Sequence, residues 1–350
     1  MKNNITIYDI AREAKVSPAT VSRVLTGSAR VSVEKSRIIR EIIEKYDFQP
    51  NAIARSLVKK ESRTIGVILP DIVNPFFATV FLEAEKYAVS LGYSMLLCNS
   101  INDMFESNIA LESIYLKTLT EKQVDGIIFL GGRINMVRTD KKLAEEMNTV
   151  LAKVPIVMIN GRMGGVDCYK VRSDEREGIF SIVEYLTSLG HRSIGFIGGR
   201  LNVTSTAIKL NALKDALRHF KLEFNEKWIV ISGDFNIENG AKAMKTLLSE
   251  KERPTAVIAV NDTVAIGAMK YAASVGVDIP GDISITGFDD SYLCDIVTPR
   301  LTSVSHNIPE LARKAVDMLC YTFANRSVPK ERIVRTSLTI RESCACPRNI

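Results

Sequence analysis

A chain of 350 residues with 46% hydrophobic content is long enough for a large two-lobed domain beside a small one, and its formal charge is +6. No apolar run reaches the length of a membrane-spanning helix, and polar Lys2-Asn3-Asn4 stand where a signal peptide would turn apolar, so a cytoplasmic protein with no membrane contact is expected. The charge is concentrated: residues 1 to 60 hold 12 Lys and Arg against 6 Asp and Glu, whereas the remaining 290 hold 34 against 34. A positive head on a neutral body is the pattern of a phosphate-binding module, because Lys and Arg gain by releasing counterions from DNA.

In the head, Thr6-Ile7-Tyr8-Asp9 opens a helix, with a hydroxyl to cap it and an acid three residues on. Ile10, Ala11 and Ala14 give this helix one apolar face. A turn through Lys15 and Val16 leads to Ser17-Pro18, a serine cap followed by proline at the first helical position, where its missing N–H costs nothing. The second helix buries Val21, Val24 and Leu25 and leaves Pro18, Ala19, Thr20, Ser22 and Arg23 outside. From Ser32 a third helix carries Ile38, Ile39, Ile42, Ile43 and Tyr46 on one side and closes a three-helix domain over residues 1 to 48. Two short helices at a steep angle, the second with a polar outer face, suit a reader of the major groove. Thr6, Tyr8 and Ser17 join that outer set as candidate DNA-binding residues.

Residues 49 to 61 read as a hinge helix and linker. In Pro50-Asn51-Ala52-Ile53-Ala54-Arg55-Ser56-Leu57, Asn51 can cap a helix and the alanines allow close approach of a second copy. At about two turns such a helix is marginal alone and needs a partner helix and DNA. Leu57 fits either of two roles, a wedge between base steps in the minor groove or an anchor on the larger domain.

From Thr64 onward, β-branched runs alternate with helical patterns, the signature of parallel sheets covered by helices. Strands are expected at 65 to 69, 94 to 98, 126 to 130, 156 to 159, 194 to 197, 229 to 232, 256 to 260 and 283 to 286. Glycines at Gly92, Gly190 and Gly276 close helices between them. The fold class is therefore α/β, with two doubly wound lobes facing each other across residues 62 to 342 and a tail over 343 to 350 that lacks heptad leucines for a coiled coil. Ligands in such folds bind at the carboxyl ends of the strands. Those ends carry Asp71, Asn74, Pro75, Phe76 and Phe77, then Asn99 and Ser100, then Asn160 and Arg162. Further on come the loop Val171-Arg172-Ser173-Asp174 and the pairs Asn261-Asp262 and Asp289-Asp290. Any one Asp or Asn there caps a helix more often than it binds a ligand, but amides, carboxylates and an arginine beside aromatic rings together suit a polyhydroxylated molecule.

Catalytic motifs are missing: no G-x-G-x-x-G follows a strand, no G-x-x-x-x-G-K-[ST] or G-x-S-x-G occurs, and the turns Gly131-Gly132-Arg133 and Gly198-Gly199-Arg200 lack a third glycine. His191 is expected to face a turn, His219 a polar helix surface, and His306 lies in a crossover segment. Cys98 and Cys320 read as buried thiols, and Cys344-Ala345-Cys346 supplies only two ligands of a tetrahedral site, so neither metal nor cofactor is expected. The chain reads as a non-enzyme.

The segments Ile7-Tyr8-Asp9-Ile10-Ala11, Val16 to Leu25 and Pro50 to Leu57 closely resemble the lactose-repressor and galactose-repressor family of bacterial transcription regulators. The resemblance runs to about residue 342 and implies a homodimeric repressor on a pseudo-palindromic operator, with a recognition helix in the major groove, paired hinge helices and a leucine lever in the minor groove. The recognition role falls on Pro18, Ala19, Thr20, Ser22 and Arg23, and the hinge role on Asn51, Ala54, Arg55 and Leu57. It further implies a core like the sugar-binding periplasmic proteins, with lobes discontinuous in sequence, ligand contact at Asn160, Asn261 and Asp289, and stacking at Phe76. One departure stands out: where many sugar-responsive members carry an arginine, this chain has Lys209, a point charge in place of a planar fork. That leaves open a neutral sugar, an acidic or phosphorylated sugar, or a phosphorylated partner protein as the effector.

Overall fold

Three helices form the head: α1 (Ile7–Glu13), α2 (Pro18–Thr26) and α3 (Val33–Lys45). The computed structural model describes residues 5–26, 31–48, 61–101 and 108–348, and the chain divides into a head ending at Ser62 and a core beginning at Arg63. Thr6 and Asp9 close a capping box on α1, the Thr6 hydroxyl donating to Asp9 Oδ2 at 2.6 Å and the Thr6 N–H to the same oxygen at 3.0 Å. Ile10, Ala11, Val21, Ile39 and Ile42 are buried between the helices, and Lys45 Nζ meets Glu13 Oε1 at 2.8 Å, joining the ends of α3 and α1.

The first lobe of the core contains β1 (Thr64–Leu69), β2 (Ser94–Asn99), β3 (Gly126–Leu130), β4 (Ile156–Ile159), β5 (Tyr169–Ser173) and β11 (Glu331–Val334), all parallel in the order β11-β5-β4-β3-β1-β2. Side chains alternate across it. Ile65, Val67, Leu69, Ile128 and Leu130 face α4 (Pro75–Ser90) and α12 (Ile308–Phe323), while Ile68, Ile127 and Phe129 face α5 (Asn108–Glu121) and α6 (Lys141–Leu151). The second lobe contains β6 (Ile194–Ile197), β7 (Ile229–Val230), β8 (Ala256–Ala259), β9 (Ser284–Asp289), β10 (Thr302–Ser305) and β12 (Ser337–Thr339), in the order β12-β10-β9-β8-β6-β7 with β12 antiparallel. Around it lie α7 (Glu175–Ser188), α8 (Thr204–His219), α9 (Ile237–Ser249), α10 (Asp262–Ser274) and α11 (Leu293–Ile296).

The chain crosses between lobes three times, from β5 to α7, from β10 to α12 and from β11 to β12. Four expectations are corrected. Residues 171 to 173 belong to β5 rather than to a loop, because β11 supplies a further strand to pair with it. The strand at 229 to 232 ends at Val230. His191 does not face a turn: it is buried, with Nδ1 2.8 Å from Thr255 Oγ1 and Nε2 2.9 Å from the Ala345 carbonyl. The segment read as a tail lies on the second lobe, where Ser343 Oγ donates to Ile285 O at 2.6 Å and Arg348 pairs with Asp278 at 2.8 Å. Among the described residues no helix is long and apolar enough to cross a membrane, and no cluster of His, Cys, Asp and Glu could hold a metal ion.

Candidate functional site

Ser17 starts α2 where the sequence places it. Its Oγ accepts the Thr20 N–H at 3.2 Å and lies 2.9 Å from the Thr20 hydroxyl, so two backbone-proximal polar groups are satisfied at the entrance of the helix. Val21 is fully buried, and the helical repeat then turns Ala19 and Arg23 to solvent with Pro18, Thr20 and Ser22 half-covered. Tyr8 is 66% exposed, an aromatic ring that the small core does not use. The resulting face is narrow and polar, with one arginine able to fork onto a guanine and with methyl groups of Ala19 and Thr20 able to touch thymine. Thr6 is committed to the capping box. Asn51, Ala54, Arg55 and Leu57 lie outside the described residues.

In the core, several expected ligand residues meet at the crossovers. Asn160 Oδ1 accepts from the Ser173 N–H at 2.8 Å and from the Ser173 hydroxyl at 3.1 Å. Since Ser173 spends its proton on that carbonyl oxygen, it must accept from His306 Nδ1, 2.5 Å away, which fixes the tautomer. His306 Nε2 is then an acceptor, 3.1 Å from Asp289 Oδ1. Burial, and then the Lys209 charge, depress the His306 pKa to about 3, while burial raises that of Asp289 against the pull of Lys209. With the imidazole neutral, the contact is a hydrogen bond and not an ion pair. The His306 ring lies between Phe76 and Phe288, each 4.9 Å away by ring centroids. Lys209 Nζ sits 3.8 Å over the Phe288 ring, donates to Val260 O at 2.9 Å and lies 3.5 Å from the buried Glu175 carboxylate. Next to Val260, Asn261 caps α10 through the Val264 N–H at 3.0 Å and donates to Phe235 O at 3.3 Å.

A pattern for bacterial regulatory proteins of the lacI family matches residues 6–51, and a periplasmic binding protein-like domain matches residues 183–344. Catabolite control protein A of Priestia megaterium is 34% identical over 333 residues, covering 95% of this chain and 96% of that protein. The chain belongs to the lacI family. It is a DNA-binding transcriptional regulator, α/β in fold, with a helix-turn-helix head and a two-lobed core. The fold also matches that of a lac repressor dimer bound to operator and an anti-inducer, with a TM-score of 0.85 at 23% identity over 98% of this chain and 100% of that one. A lacI-family regulator from Enterococcus faecium with bound ribose matches with a TM-score of 0.70 at 25% identity, over 81% of this chain and 100% of that one.

In this lacI-family core, not every expected residue reaches the cluster around His306. Asp71 Oδ1 accepts from the Val73 N–H at 2.9 Å, Asn74 caps α4 through the Phe76 N–H at 3.0 Å, and Asn99 holds the Ile72 N–H at 2.8 Å. Each of these polar groups is used to shape the turn that places Phe76. Arg162 is exposed. Conversely, the sequence reading assigned no ligand role to His306, Glu175 or Phe288, although His306 was placed in a crossover and Ser173 among the strand-end residues.

The two Gly-Gly-Arg turns end β3 and β6, and the segments that follow them meet. Gly131 and Gly132 have φ of 60° and 56°, and a Cβ on Gly132 would overlap the Glu112 carboxylate. That carboxylate takes Arg133 Nε at 2.8 Å, Glu146 takes Nη1 at 2.6 Å, and Nη2 donates to Ser113 Oγ and Ile109 O. The fixed turn leads Met136 into a bridge with Val203 of the other lobe, where the Val137 N–H donates to Asn202 O at 2.9 Å. Val203 cannot cap α8 with its own side chain, and Asn135 Oδ1 supplies an acceptor to the Ser205 N–H at 3.3 Å from across the cleft.

Proposed function

We propose that this regulator is a cytoplasmic homodimeric repressor without catalytic activity of its own, that it binds a pseudo-palindromic operator through α2, and that a small neutral carbohydrate-like effector in the interlobe cleft sets its operator affinity. The observation that carries the DNA part is the capped α2 with Ala19 and Arg23 exposed, on a head that bears the whole net charge of the chain. The lac repressor dimer on its operator supports the two-fold arrangement, and the ribose-bound Enterococcus faecium protein supports a sugar. Neutrality of the effector follows from Lys209. Its ammonium is engaged by Glu175, the Val260 carbonyl and the Phe288 face, so Lys209 itself is not available to an acidic sugar or a phosphate.

The mechanism is linkage: a ligand that prefers one closure of the lobes is coupled through that preference to the affinity for DNA. The test is selection of duplexes from a random pool by the full chain. Enriched sites should carry two inverted half-sites and bind with a steep salt dependence, and Arg23→Ala should weaken the enriched site by about 1–3 kcal/mol while leaving random duplex almost unchanged. Enrichment of asymmetric sequences, or equal losses on both duplexes, refutes the reading.

A further inference from the structure

The cleft of this regulator is filled by its own side chains. His306 is 2% exposed, Lys209 3% and Asn261 5%, whereas open hollows of about 560 and 520 Å³ lie on outer faces of the two lobes, lined by residues such as Lys270 and Val277 in one and Lys86 and Arg313 in the other. At the centre, the His306 imidazole has a phenyl ring from each lobe beside it, Phe76 from α4 and Phe288 from β9. Its two nitrogens take the two polar groups that border the same space, Ser173 Oγ at 2.5 Å and the Asp289 carboxyl at 3.1 Å. A ring hydrogen-bonded at both nitrogens and set at 54° and 60° against two phenyl rings holds the kind of position a bound cyclic ligand takes.

We propose that His306 is the specificity-determining residue of the effector cleft: it occupies the slot between Phe76 and Phe288, and an effector reaches those rings, Ser173 and Asp289 only by expelling it. The proposal rests on the interlobe cleft being the effector site. Its consequence is a selection by replacement. An incoming ring should take over both positions that His306 gives up, since Ser173 Oγ then keeps only Asn160 and Asp289 Oδ1 loses the imidazole. Neutral ring sugars with hydroxyls on opposite edges meet that demand, and apolar rings of the same size do not. The charged groups around the slot do not provide an alternative anchor: Lys209 on α8 and Glu175 on α7 hold each other, and Asp262 on α10 accepts from Ser303 Oγ at 2.5 Å and from the Ser291 N–H at 2.7 Å.

The experiment compares the full-length wild type with His306→Ala, using free imidazole and a panel of neutral pentoses and hexoses as probes. Calorimetry should show millimolar binding of imidazole to His306→Ala and none to the wild type, with the variant's melting temperature rising towards that of the wild type as imidazole is added. Sugars should bind the variant at least tenfold more tightly than the wild type, and imidazole should compete with them. Imidazole binding to both proteins or to neither overturns the proposal. So does an unchanged sugar profile, including no binding by either protein, and that outcome leaves the operator reading, measured separately by duplex selection, standing. Should His306→Ala fail to fold, His306→Asn vacates the slot while keeping a polar atom for Asp289 and carries the same test.

Discussion

Replacing Arg133 by Met tests the anchor of the turn that reaches across the cleft. The guanidinium is fully buried and holds two carboxylates, of which Glu146 is 31% exposed and can turn to water, whereas Glu112 is 1% exposed and cannot. In the variant Glu112 keeps only the residue 133 N–H, 3.3 Å away. Leaving one member of a buried pair without its partner costs about 3–5 kcal/mol, which is the loss expected for the core at pH 8. The loss depends on pH in a defined direction. Burial already raises the Glu112 pKa from 4.5, opposed by Arg133, and without Arg133 that opposition disappears. A carboxyl whose folded pKa is raised binds its proton more tightly in the native state, so its contribution is lost as pH rises above the unfolded value and regained on acidification. The deficit at pH 5 should therefore be smaller than at pH 8, by up to about 1.4 kcal/mol for each unit over which Glu112 is protonated only in the folded state. Urea unfolding at pH 5, 6.5 and 8 measures it, and Arg133→Met with Glu112→Gln should recover most of the stability at pH 8. A loss below about 1 kcal/mol that is the same at all three pH values would show that the pair is not what fixes the turn.

The cleft carboxyls give a second pH effect. Asp289 and Asp262 are both raised by burial from 3.8 to about 7, so between those values the folded carboxyls keep protons that the unfolded chain has already lost. Stability from this source therefore falls as pH rises towards 7, against the opposite slope of His306 and His191, whose pKa values burial lowers; the melting temperature of Asp289→Asn should accordingly gain on that of the wild type from pH 5 to pH 7, and a constant difference between the two proteins would contradict a raised Asp289. Asp289→Asn should also reduce the response to effector by at least roughly tenfold with effector-free operator binding intact, read by operator titration with and without ligand. Ser17→Ala removes the cap of α2 and should cost the head about 0.5–2 kcal/mol in thermal unfolding, with operator affinity falling in parallel; an unchanged head stability would remove Ser17 from the set that shapes the face.

What the sequence disclosed was local. The head was legible because its caps and apolar positions lie within a few residues of each other, as in Thr6 with Asp9 and Ser17 with Thr20. Strands at 126 to 130 and 156 to 159 were legible because a parallel strand covered on both faces is a continuous apolar run. Edge positions were not. Glu331, Arg332 and Ile333 in β11 are exposed, and β5 beside it alternates Tyr, Lys, Val, Arg and Ser, so neither presents such a run. The role of His306 was hidden for a different reason: its partner Ser173 is 133 residues away and arrives only through the crossovers. His191 was misread likewise, since its partners Ser284 and Ala345 lie 93 and 154 residues on.

The bridge at Met136 and Val203 lies on a rim that no crossover stitches, and it closes the two lobes like a clasp with few teeth. Two interlobe hydrogen bonds, one from the Val137 N–H and one to Asn135, hold it. At a net of about 0.5–1.5 kcal/mol each they favour closure by about 1–3 kcal/mol, a ratio of roughly 5 to 150. A ligand with a dissociation constant near 1 mM has about 4 kcal/mol at its disposal, enough to tip such a balance if most of that energy distinguishes open from closed. The clasp thus sets the scale of the preference for one state over the other, about 1–3 kcal/mol, that any ligand must supply to move the lobes.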